Sequence, residues 1–525
     1  MYDRRYTPGR ISELKENEIF VFGSNLAGSH GGGAARLAYA RFGAVWGEGV
    51  GLHGQTYAIP TMQGGVETIK PYVDEFISFA KEHTELTFLV TRIGCGIAGF
   101  RDEEIAPLFA EAIDIANIIL PKEFVEDLKL RTKDRIRGSL MAGAAGDALG
   151  YAVEFISRKS ILAQYGANGI TKFDLDSDGK ALISDDTQMT LFTACGMLMG
   201  ITRGYMRGIG GQPETYVSEA YLDWYYTQTG KRRGSQTHDF NATWIRDIPQ
   251  LAHRRAPGLT CLSACESLLQ CKEVKNNSKG CGGIMRVAPM ALLMAGYWSR
   301  DQFPYSIQQM DEAGGEVASV THKHPLAFLP AAMLTHLIYH VIRMEESEIK
   351  ANISDIALDA IDALDAIYKG EYEEDKRYLA DLTRNAVTLA ANDKSDAENI
   401  RMLGEGWTGE EAWAIALYCA IRHIDNMEEA IIAAVNHDGD SDSTGAVCGN
   451  IMGAIYGYES MKRQRLFCPQ DRELEPTLEL SNIILTLADD LYTGCIISEH
   501  DPIDTPEKRQ WYDKYCEMTY TPRQE

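Results

Sequence analysis

This sequence has little that would tie it to a membrane, to nucleic acid or to a disulfide framework. Its N-terminus, Met1 to Arg10, is polar and charged and lacks the apolar core of a signal peptide. No later run approaches the length and apolarity expected of a membrane span. Basic residues are scarce: 51 Lys and Arg stand against 75 Asp and Glu, a formal net charge of −24. That balance argues against a broad nucleic-acid surface, because phosphate backbones are held by clustered Lys and Arg. A small polyanion stays compatible, since helix N-termini, backbone N–H groups and bound metals accept one without net basic charge. Paired C-x-x-C elements are missing as well, and the one cysteine cluster, Cys261, Cys265, Cys271 and Cys281, lacks the spacing of a structural zinc site. The cysteines number eleven, an odd count with several in apolar or Gly-rich settings, which points to reduced thiols in a cytoplasmic protein.

What is present is long enough for more than one core. At 525 residues the chain predicts two or more domains. Residues 18–128 alternate between β-prone runs and helical spacing. The runs are Glu18 to Gly23, Thr56 to Pro60, Thr87 to Ile93 and Ile118 to Pro121; the helical stretches are Gly32 to Phe42, Thr68 to Lys81 and Glu103 to Ala116. Such alternation predicts an α/β layer sandwich with a mixed or parallel sheet. From Asp134 the chain changes to long apolar-periodic segments rich in Ala, Leu and Met. Helices are expected at Arg135 to Leu149, Asp186 to Met199, Pro325 to Met344, Ile353 to Tyr368, Lys376 to Ala391, Gly409 to His423, Met427 to Val435 and Ser443 to Met461. Charged Lys122 to Lys133 reads as the join, Gly200 to Gln212 and Phe303 to Ile307 as loops, and the tail, residues 496–525, has no assigned structure. The expected organisation is an α/β module over 1–128 and a large all-α bundle over 132–495.

Two glycine stripes sharpen the all-α reading. Gly138, Ala142, Gly146 and Gly150 recur at every fourth residue, as do Gly445, Gly449, Gly453 and Gly457. In a helix each set makes one smooth stripe. Glycine costs about 1 kcal/mol against Ala in a helix interior, so close helix–helix approach must offset it. The two helices are expected to be neighbours, with Asp147 and Glu154 near Asp440.

Two acidic clusters carry the chemistry, Ser184-Asp185-Asp186-Thr187 and Asp438-Gly439-Asp440-Ser441-Asp442-Ser443-Thr444. Each precedes a helical run, so each also reads as an N-cap with carboxylates suited to the helix dipole. Dense oxygen ligands suit hard cations such as Mg²⁺, with Mn²⁺ also compatible, and a pair of such ions is a known arrangement for hydrolysis. Gly146-Asp147-Ala148-Leu149-Gly150, Val153-Glu154-Phe155, Ser184 to Thr190, Gly280-Cys281-Gly282-Gly283-Ile284-Met285-Arg286, Thr321-His322, Gly406-Trp407 and His437 to Gly445 occur in one order. In that order the chain resembles the ADP-ribosylglycohydrolase family, which includes the dinitrogenase reductase-activating enzymes. The resemblance covers roughly residues 132–495. It implies an all-α fold with two Mg²⁺ ions in a cleft for ADP-ribose or an ADP-ribosylated protein, and hydrolysis at the ribose. It further implies Ser184, Asp185, Asp186, Asp440, Asp442 and Ser443 as metal ligands, with Asp185 and Asp440 catalytic. Glu154 would stand beside the ribose and the attacking water, and Gly280, Gly282, Gly283, His322 and Trp407 would make ligand contacts. Two departures stand out: Gly280-Cys281-Gly282 replaces the family's Gly-Asn-Gly, and Ser443 replaces a Thr. The competing classes are a non-catalytic ADP-ribose reader and a metal-dependent hydrolase of a related nucleotide or N-glycoside.

In the N-terminal part a strand runs into Gly23-Ser24-Asn25-Leu26-Ala27-Gly28-Ser29-His30-Gly31-Gly32-Gly33, and a second loop, Gly94-Cys95-Gly96-Ile97-Ala98-Gly99, follows another strand. Neither is G-x-G-x-x-G or a Walker loop. Two Gly-rich loops at strand ends can form one crevice for a diphosphate. The pair is similar to those of macrodomains, which implies ADP-ribose contacts at Asn25, Gly31, Gly32, Gly33, Gly94 and Gly96, or a second hydrolase site.

Overall fold

Ile19, Phe20, Val21 and Phe22 are consecutive and none is more than 3% exposed, the pattern of a strand covered on both faces. They form β1 (Glu18–Ser24), the centre of a five-stranded sheet in this computed structural model. The structure describes residues 6–208, 210–231, 238–296, 306–469, 471–499, 502–516 and 519–522. Its two units are Met1–Thr132 with Arg343–Glu345, and Lys133–Ile342 with Glu346–Glu525.

In the first unit, β2 (Gly51–His53), β3 (Thr56–Pro60), β4 (Thr87–Val90) and β5 (Ile118–Ile119) join β1 in the order β2-β3-β1-β4-β5. β1 runs parallel to β3 and β4, β4 is parallel to β5, and β2 is antiparallel to β3. The sheet is therefore mixed, as the alternation predicts. Three-residue β2 was not foreseen, being too short for a period-two signal. Helix Lys70–Glu82 buries Val73, Phe76, Ile77 and Ala80, one face at helical spacing. The expected helix over Glu103 to Ala116 is instead one α turn, Asp102–Ile105, and two 3₁₀ turns, Ala106–Phe109 and Glu111–Asp114. Pro107 is the reason, since it has no N–H to continue the ladder.

The second unit is mostly helical. The expected join, Lys122 to Lys133, is the start of one 30-residue helix, Lys122–Tyr151, within which the unit boundary falls after Thr132; its charges mark an exposed face. Helix Asp185–Arg207 likewise runs through part of the expected loop Gly200 to Gln212, stopping at Gly208 with φ 65°. The expected Ser443 to Met461 helix is two, Ser441–Tyr456 and Tyr458–Gln464, divided at Gly457 with φ 75°. Phe303 to Tyr305, expected as loop, lie outside the described residues. The tail holds helix Pro506–Tyr515, whose Trp511 Nε1–H donates to Thr202 Oγ1 at 3.0 Å. Strand Thr519–Pro522 pairs antiparallel with His238–Asn241, so the bundle is not strictly all-α. Helix Pro325–Arg343 does reach the length and apolarity of a membrane span, contrary to expectation, but 89% of its apolar window is buried within the fold, as in a core helix of a globular unit.

The glycine stripes meet. Helix Lys122–Tyr151 and helix Ser441–Tyr456 cross antiparallel with backbones in contact. A Cβ on Gly449 would overlap the Ala142 carbonyl, one on Gly146 the Gly445 carbonyl, and one on Gly150 the Ser441 carbonyl. Ser139 Oγ–H donates across the contact to Asn450 O at 2.9 Å. Only glycine fits where main chain meets main chain. Gly449→Ala is expected to destabilise the fold by roughly 1–3 kcal/mol through overpacking, read as a lower thermal midpoint; an unchanged midpoint would contradict the backbone contact.

Candidate functional site

The site is built at the starts of two helices. Ser184, with extended backbone, caps Asp185–Arg207, its Oγ accepting from the Asp186 N–H at 3.2 Å. Asp147, from the glycine-striped helix, accepts from the Ser184 N–H at 3.0 Å, the Thr187 N–H at 3.1 Å and the Thr187 hydroxyl. These two residues do the capping, which frees Asp185 and Asp186 from it. Asp185 Oδ2 accepts one bond, from the Gly258 N–H at 3.3 Å. Asp186 is 3% exposed, and its Oδ2 has no hydrogen-bond partner.

The second cluster is tied down differently. Asp440 is itself the N-cap of Ser441–Tyr456, taking the Ser443 N–H at 3.3 Å on Oδ1 and the Cys281 thiol at 2.8 Å on Oδ2. Asp442 Oδ1 also faces the Ser443 N–H, at 2.9 Å. Buried His437 accepts the Gly439 N–H on Nδ1 at 3.1 Å and holds Thr444 Oγ1 with Nε2 at 2.9 Å, which fixes the loop. Burial pushes His437 down to about 4, so its ring is neutral. The bland capping reading thus holds for Ser184 and Asp440 and fails for Asp185 and Asp186.

The clusters share one electrostatic neighbourhood with Glu154, which follows the glycine-striped helix. Burial, and next the charge of Asp442, raises the carboxyls of Asp185, Asp186 and Asp440 well above their ordinary range. The same two causes push Glu154 up to about 10 and Asp147 to about 7. Glu154 Oε2, like Asp186 Oδ2, is buried without a partner. Buried polar atoms are nearly always paired, so two orphaned carboxylate oxygens in one acidic neighbourhood fit a cation better than an empty core. Among the described residues no group of three or more His, Cys, Asp or Glu side chains already has the arrangement that would hold a metal ion.

One wall comes from the loop Gly280 to Arg286. The Cys281 N–H donates to Trp407 O at 3.1 Å and the Gly409 N–H to Lys279 O at 2.8 Å, which joins this loop to Gly406-Trp407. Trp407 stacks on Phe155, centroids 5.6 Å apart, and both rings are partly exposed. Gly282 and Gly283 are buried. His322, expected as a ligand contact, is 2% exposed and lies under the turn: a Cβ on Gly282 would stand 2.8 Å from its Cε1. Its Nδ1 is 2.8 Å from Thr321 Oγ1, which also takes a bond from fully buried Arg286. His322 therefore supports the loop. Sequence reading missed the Cys281–Asp440 contact and the capping role of Asp147; only the departure from Gly-Asn-Gly drew attention to Cys281.

The first unit has a separate cavity of about 180 Å³ at the carboxyl ends of β1, β3 and β4, lined in part by Asn25, Gly32, Gly33, Gly94 and Gly96. Connections leave β1 and β4 toward opposite sides of the sheet, the switch point where open α/β sheets bind ligands. Gly31 is not among the lining residues. The Asn25 amide exchanges bonds with Ser29, donating to its carbonyl and accepting its N–H at 3.1 Å each, which closes the loop and leaves one N–H and one lone pair of the amide uncommitted to Ser29.

A family model described as ADP-ribosylglycohydrolase matches residues 128–498. The chain is 24% identical to ADP-ribosylhydrolase ARH3 of Bos taurus, over 38% of this chain and 56% of that protein; it thus spans little more than half of that relative. It is 24% identical to ADP-ribosyl-[dinitrogen reductase] glycohydrolase of Rhodospirillum rubrum, over 62% of this chain and 87% of that one. A solved structure titled ADP-ribosylglycohydrolase-related protein complex is similar with a TM-score of 0.43 and 20% identity, covering 70% of this chain and 99% of its own.

The capping assignment has a direct consequence. Asp147→Asn turns an amide N–H₂ toward N–H and O–H donors, and it is expected to destabilise the fold by about 1–3 kcal/mol. Faster amide hydrogen exchange at residues 184–187 is the accompanying readout; unchanged protection there would contradict it.

Proposed function

The chain belongs to the ADP-ribosylglycohydrolase family, a family of glycosidic-bond hydrolases, and from that premise we propose that it releases ADP-ribose hydrolytically from a modified protein or small acceptor. The observation that carries this reading is the gathering of Glu154, Asp185, Asp186, Asp440 and Asp442 in one buried neighbourhood with two orphaned oxygens. Ser184, Asp185, Asp186, Asp440, Asp442 and Ser443 would hold two Mg²⁺ or Mn²⁺ ions. When bound, such ions supply positive charge that returns these carboxyls to their ionised form and a Lewis acid toward ribose oxygens and water.

The remaining chemistry falls to the chain. Asp147 and the Ser184 cap hold Asp185 and Asp186 in place while using no carboxylate of that pair. Glu154, returned to its ionised form by that same positive charge, orients a water and takes its proton as the oxygen attacks the ribose C1″. Bond breaking there develops positive charge on the ring, and acidic surroundings stabilise it. Phe155 and Trp407 offer flat apolar surface beside the carboxyls, suited to a ring of the substrate. One relative's name specifies ADP-ribosyl-[dinitrogen reductase], which favours a protein-linked substrate.

The first unit we read as macrodomain-like, binding ADP-ribose in the cavity between its glycine loops. In this reading it captures or presents the modified target and so raises its local concentration at the helical site.

Mass spectrometry of ADP-ribose released from ADP-ribosyl-arginine, ADP-ribosyl-serine and O-acetyl-ADP-ribose tests the first part. Asp185→Asn with Asp186→Asn is expected to lower turnover by about 10²-fold or more, and chelator to abolish it until Mg²⁺ or Mn²⁺ is restored. Full turnover in the double variant or in chelator would contradict the metal reading, and tight ADP-ribose binding with no turnover in the native chain would favour the reader class. For the first unit, Gly96 lines the cavity, and a Cβ added to it would meet only open space. In the Asp185→Asn, Asp186→Asn background, Gly96→Trp should weaken residual ADP-ribose binding roughly tenfold or more by calorimetry, about 1.4 kcal/mol; equal affinity would remove that module from the account.

A further inference from the structure

Among the described residues, Cys281 is the thiol hydrogen-bonded to a carboxylate of the acidic site. Its Sγ donates to Asp440 Oδ2 at 2.8 Å and also reaches the Ser443 side chain. Asp186, with its buried and unpartnered Oδ2, interacts with the same thiol. The sulfur is therefore bonded to one of the side chains that would hold a cation, Asp440, with Ser443 and Asp186 in its neighbourhood. It is also held there. The Cys281 N–H is bonded to Trp407 O at 3.1 Å, and flanking Gly280 and Gly282 pack against His322 with room for no side chain on Gly282. The other clustered thiols face elsewhere: Cys261 lies 3.5 Å from Arg286 Nη1, and Cys271 is exposed.

Oxygen donors suit Mg²⁺, whereas thiolate favours softer ions such as Zn²⁺ and Co²⁺. Resting on the metal reading above, we propose that Cys281 is a sulfur donor to the cation held at Asp440, which makes this a mixed oxygen–sulfur site that favours Zn²⁺ over Mg²⁺. On binding, the S–H bond breaks as the sulfur–metal bond forms, and the proton leaves to the buffer. No electron is transferred.

The test uses the full chain, freed of metal, and titrates it with Co²⁺, Zn²⁺ and Mg²⁺. With Co²⁺ the native chain should develop a near-ultraviolet thiolate-to-cobalt charge-transfer band. Cys281→Ser and Cys281→Asn should lose that band while still binding Co²⁺ by calorimetry. Their Zn²⁺ affinity should fall about tenfold or more, with a much smaller change for Mg²⁺. Co²⁺ binding without the band in the native chain, or a band that persists in both variants, overturns the sulfur donor and leaves the oxygen site standing. Failure of the native chain to bind any of the three ions overturns the metal reading itself, and this proposal with it.

Discussion

Everything in the helical unit depends on one close contact, the approach of helix Lys122–Tyr151 to helix Ser441–Tyr456 along facing glycines. Gly138, Gly146 and Gly150 leave no side chain between the two main chains, and Gly445, Gly449 and Gly453 answer them. The crossing is antiparallel, so the end of the first helix lies at the start of the second. That geometry sets Asp147 and Glu154 beside the Asp440 cluster, across nearly three hundred residues of sequence. A larger residue on either stripe would push the helices apart and spread the acidic groups with them.

The carboxyls brought together are held at a cost in solvation, and their environment shows it. Burial and mutual repulsion push Glu154, Asp185, Asp186 and Asp440 toward the neutral form. A fold gathers such groups only where something offsets the repulsion. Part of the answer is internal, because Asp147 is saturated by donors from the start of Asp185–Arg207. For Asp186 Oδ2 and Glu154 Oε2 no internal donor exists among the described residues; in the function proposed above, a cation would supply the missing charge.

Much of this was legible in the sequence where local periodicity and backbone chemistry act together. The four-residue glycine spacing foretold the helix contact, and the split between α/β and helical character foretold the two units' architectures. Boundaries were missed where one residue overrode the pattern: Pro107 broke an apparent helix, and Gly457 divided another. The unit boundary does fall within Lys122 to Lys133, but the charge there concealed that the segment is helical. In the site, side-chain types announced the acidic clusters, but not which carboxylates were already committed. That Asp147 caps the Asp185 helix, that His322 lies beneath its loop and that Asn25 is tied to Ser29 are tertiary facts with no local signature. The strand pairing of Thr519–Pro522 with His238–Asn241 was hidden for the same reason.

The central claim is that the residues around Asp185 and those around Asp440 form a single two-ion cage. Electron paramagnetic resonance of the full chain titrated with Mn²⁺ tests it most directly. A saturating signal from two spin-coupled ions per chain is the result this account requires. The spectrum of isolated or free Mn²⁺ at every stage of the titration would contradict it.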